Sequence, residues 1–189
     1  MANTVTNVSA SKPAAGGAVN VGATTATLPT ATGGTLTGFT SLGYLSDDGI
    51  KNEKTIETEE VKAYGGDVVL QPQTGSKDSF SFTLIEVLNV DVLKEVFGAS
   101  NVSGSLSAGI AVNVSGAELP ERAWVIDTIM RGDVAKRMVI PKGKITEIGE
   151  ITYNDSDAVG YEITITAFPD ASSNTHYEYI KAPAANSGN

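Results

Sequence analysis

The stretch that decides the fold is KDSFSFTLIEVLNVDVLKEVFG, residues 77–98, because its apolar residues change from strand spacing to helix spacing. In the first half, Phe80, Phe82 and Leu84 alternate with serine and threonine residues. A period of two places these apolar side chains on one face of a strand. Antiparallel sheets with one face in the core and one in solvent show this pattern. The first half therefore predicts a half-buried strand of an antiparallel sheet.

The second half predicts one short helix over residues 89–97. Asn89 is suited to cap the helix N-terminus, Asp91 favours its positive end, and Gly98 suits its exit. A helix of about two to three turns is too short to be stable alone, so we expect its apolar stripe to pack on the sheet. The stripe consists of Val90, Leu93, Val96 and Phe97, opposite Asp91, Lys94 and Glu95.

Three further stretches show strand-like alternation. GYEITITAF, residues 160–168, has an apolar residue at every second position from Tyr161 to Ala167. LSAGIAVNVS, residues 106–115, alternates in the same way and predicts another strand. KITEIGEITY, residues 144–153, shifts phase near Gly149, which indicates a bulge at that glycine.

RAWVIDTIM, residues 122–130, differs because it is apolar on both faces. Such a strand needs cover on both sides, either from a second layer of the same chain or from a neighbouring subunit. We therefore interpret it as a core-packing or inter-subunit strand. The residues assigned to this role are Trp124, Val125, Ile126, Ile129 and Met130.

Many short strands separated by turn signals, with one helix, predict a mainly β fold: an antiparallel β-sandwich or barrel with one short flanking α-helix. Residues 1–33 are rich in Ala, Thr, Gly and Val without a persistent period, so we expect a flexible N-terminal arm. The β domain is placed at residues 34–182. Residues 183–189 are expected to form a flexible C-terminal tail.

Composition narrows the classes of function. The chain has 189 residues, no cysteine, one histidine and a formal net charge of -9. The lack of cysteine excludes disulfides and thiolate chemistry, and the single histidine excludes His-pair zinc sites. An acidic surface repels nucleic acid phosphates and anionic membranes. With no signal peptide or membrane-spanning stretch in the sequence, we expect a protein without a membrane anchor that is made in a cytoplasm.

No catalytic, cofactor or metal motif is assembled in the sequence. GSLSAG at residues 104–109 has one residue too many for a nucleophile elbow and lies in a strand-like pattern. The acidic clusters SDDG and NDSDAVG lack the register of a calcium loop and are explained by turns. His176 is interpreted as a surface or packing residue. We therefore expect a protein that is not an enzyme.

The order and wording of several blocks resemble the major tail proteins, or tail tube proteins, of bacteriophages with long non-contractile tails. These blocks are LGYLSDDGI, EEVKAYGGDVVL, DSFSFTLIEVLNVDVLKEVFG, RMVIPKGKITEIGEITYNDSDAVGYEITITAFPD and THYEYI, spread over about residues 17–181. The resemblance implies a sandwich or barrel with one helix, akin to the tube protein of type VI secretion. It also implies subunits that close into rings, usually of six, which stack into the tail tube.

The resemblance further implies partners and a cargo. The partners are other copies of the chain, a tape-measure protein, a tail terminator and distal tail or tip proteins. DNA is expected to pass through the bore without specific binding, repelled by acidic residues. Asp127 interrupts an otherwise apolar strand face and is the candidate bore-lining residue. The alternatives are a tube subunit of a related injection or secretion system, or a carbohydrate-binding or adhesin sandwich module.

A polar segment between two strand-like stretches, residues 46–66, is expected to protrude as a loop and to grip the neighbouring ring. Its mixed charges can set register through complementarity without strong self-affinity. The alternative is an ordinary solvated surface loop. The residues assigned to this inter-ring loop are Asp47, Asp48, Lys51, Glu53, Lys54, Glu57, Glu59, Glu60 and Lys62.

Overall fold

The predicted strand at residues 80–84 belongs to a nine-stranded antiparallel sheet in the computed structural model, which describes residues 3–183. Small antiparallel pairs, β5 with β6 and β8 with β9, lie outside this sheet. The strands are β1 (Ser11–Pro13), β2 (Val19–Gly22), β3 (Phe39–Ser41), β4 (Lys51–Thr58), β5 (Val61–Lys62), β6 (Val68–Leu70), β7 (Gln73–Leu84), β8 (Val102–Ser105), β9 (Gly109–Val112), β10 (Arg122–Met130), β11 (Val134–Ile148), β12 (Tyr161–Ala167) and β13 (Tyr177–Lys181). One α-helix, α1 (Val90–Phe97), and 3₁₀ turns at Val5–Asn7 and Ala99–Asn101 complete the described elements.

The main sheet follows the order β3-β2-β10-β11-β12-β7-β4. β1 shares one edge of β10 with β2, and β13 shares one edge of β11 with β12. Phe82 on β7 and Trp124 on β10 have ring centroids 6.4 Å apart, although β11 and β12 lie between their strands. The sheet must therefore curl over its own face. The fold is the expected mainly β sandwich, and within the described residues the sheet does not close into a barrel.

The alternating residues of the sequence form the core of this sandwich. Phe80 and Leu84 are fully buried and Phe82 is nearly so, while Ser81 and Thr83 are half-exposed. On β12, Ile163 and Ile165 are also fully buried. Period-two alternation predicted these core positions because each strand has one face toward the core and one toward solvent.

The helix begins and ends as predicted. The Asn89 side chain accepts a hydrogen bond from the Asp91 backbone N–H at 3.0 Å, and the Gly98 N–H donates to the Lys94 carbonyl at 3.0 Å. Val92, which the prediction left out of the apolar stripe, is fully buried. The β8–β9 hairpin also contacts α1, so the buried arc is wider than packing on one sheet would require.

Two strand predictions are wrong in detail. Residues 106–115 do not form one strand: the chain turns between β8 and β9, and Leu106 and Val114 are exposed. The irregularity of β11 lies between Ile145 and Glu147 rather than at Gly149, which follows the end of the strand. In the first stretch the alternation of apolar residues continues through the turn, and in the second the change of phase indicates a bulge without showing at which residue it lies.

The N-terminal segment also differs from the expectation. β1 and β2 lie within residues 1–33, which were expected to be an arm outside the β domain, and both pair with β10. Val19 and Val21 are buried against the core. The sequence of this Ala- and Gly-rich stretch does not itself predict pairing with β10, because β10 lies about a hundred residues later in the chain. Of the predicted C-terminal tail, residues 184–189 lie outside the described residues.

Candidate assembly surfaces

The polar segment 46–66 is part of a long β-hairpin rather than a loop. β4 pairs with β7, and β5 with β6 extends the same hairpin outward. All residues of β4 are exposed, and the buried part of β7 begins only at Asp78. We call residues 53–77 the projecting hairpin. At about 3.3 Å per residue, the outgoing strand over residues 53–62 spans roughly 30 Å.

The end of the projecting hairpin is a tight turn. The Ala63 N–H donates to the Asp67 carbonyl at 2.8 Å, and the Gly66 N–H donates to the Ala63 carbonyl at 3.0 Å. Gly65 and Gly66 have φ angles of 116° and 104°, which side chains with a Cβ rarely adopt. The glycine pair therefore allows the chain to reverse at this point.

The structure separates the charged residues that were assigned to the inter-ring loop. Asp47, Asp48 and Lys51 lie beside the sandwich, where the Ser46 N–H donates to the Thr83 carbonyl. The others lie on the projecting hairpin: Glu53, Lys54, Glu57, Glu59, Glu60 and Lys62. In this second group, Lys62 Nζ lies 3.5 Å from Glu60 Oε2 and forms an ion pair with it. Both side chains are about half exposed.

The projecting hairpin also carries apolar side chains that the sequence analysis did not assign to a contact. Tyr64 is fully exposed, and Val68, Val69 and Leu70 are 50%, 61% and 60% exposed. An exposed cluster of apolar residues marks an interaction site more often than an ordinary surface. The run DVVL, residues 67–70, was the sequence signal for this cluster. Without knowledge of a binding partner, such a run indicates only a strand. We call residues 61–70 the tip.

A buried carboxylate holds the base of the projecting hairpin. Asp78 is 2% exposed and accepts hydrogen bonds from Asn52 Nδ2 at 2.8 Å and Thr175 Oγ1 at 2.6 Å. His176 Nδ1 lies 2.6 Å from the same carboxylate, and the His176 ring meets Phe80 edge to face. Burial alone would raise the pKa of Asp78, but these hydrogen bonds outweigh it and lower the pKa below its ordinary value.

The strand predicted to pack in the core or between subunits is covered mainly by its own chain. Trp124, Val125 and Ile126 are completely buried within one subunit. The Trp124 indole N–H donates to the Gly143 carbonyl at 3.2 Å. Ile129 and Met130 are only half-buried, beside the short edge strand β1. This outer end of β10 is therefore the part of the strand for which we propose an inter-subunit role.

Asp127, the candidate bore-lining residue, forms a bidentate ion pair with Arg137, with distances of 2.6 and 2.8 Å. Arg137 is 4% exposed at its side chain and also donates to the carbonyls of Ala31 and Gly33. These bonds fasten residues 31–33, part of the expected flexible arm, to the sheet. The charge of Asp127 is therefore largely compensated by Arg137.

A groove of about 500 Å³ lies beyond the Leu84 end of β7, between Glu86 with residues 43–45 and the segment from the end of β1 to the start of β2. Glu86 stands at its wall and accepts from the Tyr44 N–H and from Asn89 Nδ2, both at 3.0 Å. The remaining lining is small or apolar. We call this the end groove; its lining residues are Pro13, Ala14, Ala15, Gly16, Gly17, Ala18, Gly43, Tyr44, Leu45 and Glu86.

The sequence as a whole matches a known protein family. Along residues 3–183, no helix is long and apolar enough to span a lipid bilayer. No curated protein matches the sequence. A family model described as phage tail tube protein matches residues 5–188, nearly the whole chain. The chain therefore belongs to the phage tail tube protein family, whose members are structural components of the virion tail.

Proposed function

We propose that this chain polymerises as stacked rings, six subunits to a ring, into the tail tube of a phage with a long non-contractile tail. The tube is the conduit through which DNA leaves the particle. Membership of the tail tube family supports a tube. The projecting hairpin is the observation on which the proposed stacking of rings rests. A polar element whose outgoing strand spans about 30 Å and whose tip is apolar is suited to reach a neighbouring ring.

The free edge of β4 supports regulated rather than spontaneous assembly. Within the described residues, β4 pairs only with β7, so its other edge is open along the strand. Open edges promote uncontrolled pairing unless charged side chains interrupt them. Lys51, Glu53, Lys54 and Glu57 place charges of both signs on β4. These charges favour association in one register and delay pairing between free subunits.

The net charge of -9 supports a conduit that does not retain its cargo. A surface of this sign repels the phosphates of DNA that passes along it. We propose that carboxylates line the bore; Asp127 is a weaker candidate than others because Arg137 compensates its charge. By resemblance to other tail tube proteins, a tape-measure protein, a tail terminator and distal tip proteins are the proposed partners.

The test removes the projecting hairpin while keeping its base. Thr55 and Lys77 face each other across β4 and β7, so Asn-Gly in place of residues 56–76 closes a short hairpin without disturbing Asp78. We expect a folded subunit, checked by the fluorescence of Trp124, that no longer elongates into tubes under electron microscopy. Leu106→Ser, which changes another exposed apolar residue, is the matched control and should form tubes. Full-length tubes from the shortened chain would disprove the stacking role.

A further inference from the structure

We propose that the end groove of one subunit receives the tip of the projecting hairpin of a subunit in the next ring. This inference rests on the proposed stacking of rings and names the acceptor surface for the hairpin. It assigns a binding partner, a second copy of the chain, to the groove lined by residues 13–18, residues 43–45 and Glu86.

The two surfaces lie at opposite ends of one strand. β7 enters the sandwich at Asp78 and leaves it at Leu84, which places these residues roughly 20 Å apart at the usual strand rise. The projecting hairpin extends beyond Asp78, and the end groove lies beyond Leu84, at Glu86. The tip of a subunit therefore points away from its own groove. When a donor surface and an acceptor surface lie at opposite ends of a subunit, subunits can repeat head to tail without closing. A growing tube requires such a repeat.

The two surfaces match in chemistry. The tip presents Val68, Val69 and Leu70, each at least half exposed. The wall of the groove offers small apolar residues such as Pro13 and Ala15, together with the larger side chains of Leu45 and the exposed Tyr44. Insertion of branched apolar side chains into such a groove removes apolar surface from water on both partners.

The charges beside the two surfaces allow one ion pair. Lys62 faces Val68 across the tip, and Asp67 lies at the turn, so the tip carries one charge of each sign with the cation beside the apolar residues. Glu86 places a carboxylate at the groove. The contact between Lys62 and Glu60 is half exposed, and exposed pairs of this kind contribute little, so Lys62 can exchange its partner on docking. The placement of tip and groove at opposite ends of β7, together with the apolar match, favours the tip of another copy over an unrelated partner.

Cross-linking tests the contact directly, because the chain has no cysteine of its own. The variant Ala15→Cys/Val69→Cys carries one thiol in the groove and one in the tip. A short bis-maleimide linker applied to assembled tubes should give a ladder of covalent oligomers that continues well beyond the number of subunits in a ring. The control Ala15→Cys/Leu106→Cys has an equally exposed second thiol outside the tip and should give no such ladder.

The outcomes separate the groove assignment from the proposed function. Tubes that form with no ladder above the control would overturn the groove assignment and leave stacking intact. A ladder that stops at the ring number would place the contact between neighbours in one ring and would also overturn it. In whole tails, a cross-link from Ala15→Cys to a different tail protein without a ladder would assign the groove to that protein. If neither variant nor the unmodified chain forms tubes with tail-initiation proteins present, the proposed function itself fails.

Discussion

At the scale of single residues, Asp78 connects parts of the chain that are far apart in sequence. Its carboxylate receives hydrogen bonds from Asn52, just before the projecting hairpin, and from Thr175, just before β13. No local pattern in the sequence singles out Asp78, because these partners lie 26 and 97 residues away. By contrast, the burial of Phe80 and Phe82 was predictable, because it depends only on alternation along one strand.

We predict that Asp78→Asn destabilises the subunit at neutral pH by about 1–3 kcal/mol, because an amide group would face donors that need an acceptor. The pKa of Asp78 is lowered in the folded state, so its carboxylate contributes stability above the unfolded pKa, near about 4, and loses it as pH falls through the folded pKa. The difference between variant and parent should therefore shrink in acid. Urea unfolding followed by the fluorescence of Trp124 at several pH values measures it.

Asp155→Asn is the control for this prediction, since Asp155 is exposed and its replacement should change the free energy of unfolding little at any pH. A loss for Asp78→Asn that stays constant or grows as the pH falls would contradict the assignment of Asp78 as a stabilising carboxylate.

At the scale of secondary structure elements, predictions succeeded where the signal is local. The helix was expected over residues 89–97 and is observed over Val90–Phe97, because its cap, its stripe and its glycine exit lie within one short stretch. The projecting hairpin was expected as a loop, because β4 is exposed throughout and shows no apolar alternation. An all-polar strand is held by its partner rather than by burial, and the partner β7 cannot be identified from β4 alone.

We predict that Asn89→Ala lowers the free energy of unfolding by about 1 kcal/mol, because the Asp91 N–H loses its side-chain acceptor. Asn89 also donates to Glu86, so the substitution should loosen the wall of the end groove as well. Chemical denaturation gives the loss, and hydrogen exchange at residues 86–92 locates it. Asn89→Ser restores a capping oxygen and should recover most of the stability; equal losses for both variants would contradict a capping role.

At the scale of the whole molecule, composition and resemblance predicted the class of protein better than any single site. The absence of cysteine and the single histidine turned the interpretation away from catalysis, and the family match supports a structural role. The groove was not predicted, and of the tip only residues 61–66 fell within the predicted inter-ring segment, since neither surface shows an apolar alternation along the chain. Surfaces that become buried only on assembly leave no alternation pattern in the sequence of one subunit.

We predict that raising the salt concentration from low to physiological values increases the rate of tube elongation. Each subunit carries a net charge of -9, and repulsion between subunits acts over a Debye length that shortens to about 10 Å at 0.1 M salt. Apolar contacts are not weakened by this screening. Light scattering after mixing subunits with tail-initiation proteins gives the rate, and slower elongation in salt would show that ion pairs across the contact dominate instead.

The continuity of β7 has a mechanical consequence. The strand runs without interruption from the exposed hairpin into the sandwich, where residues 78–84 pair with residues 161–167 of β12. Hydrogen bonds of an antiparallel ladder lie across the strand, so tension along β7 loads the whole row in shear rather than opening one bond at a time. A stretched or bent tail would pass its load from subunit to subunit through the strongest direction of the sheet.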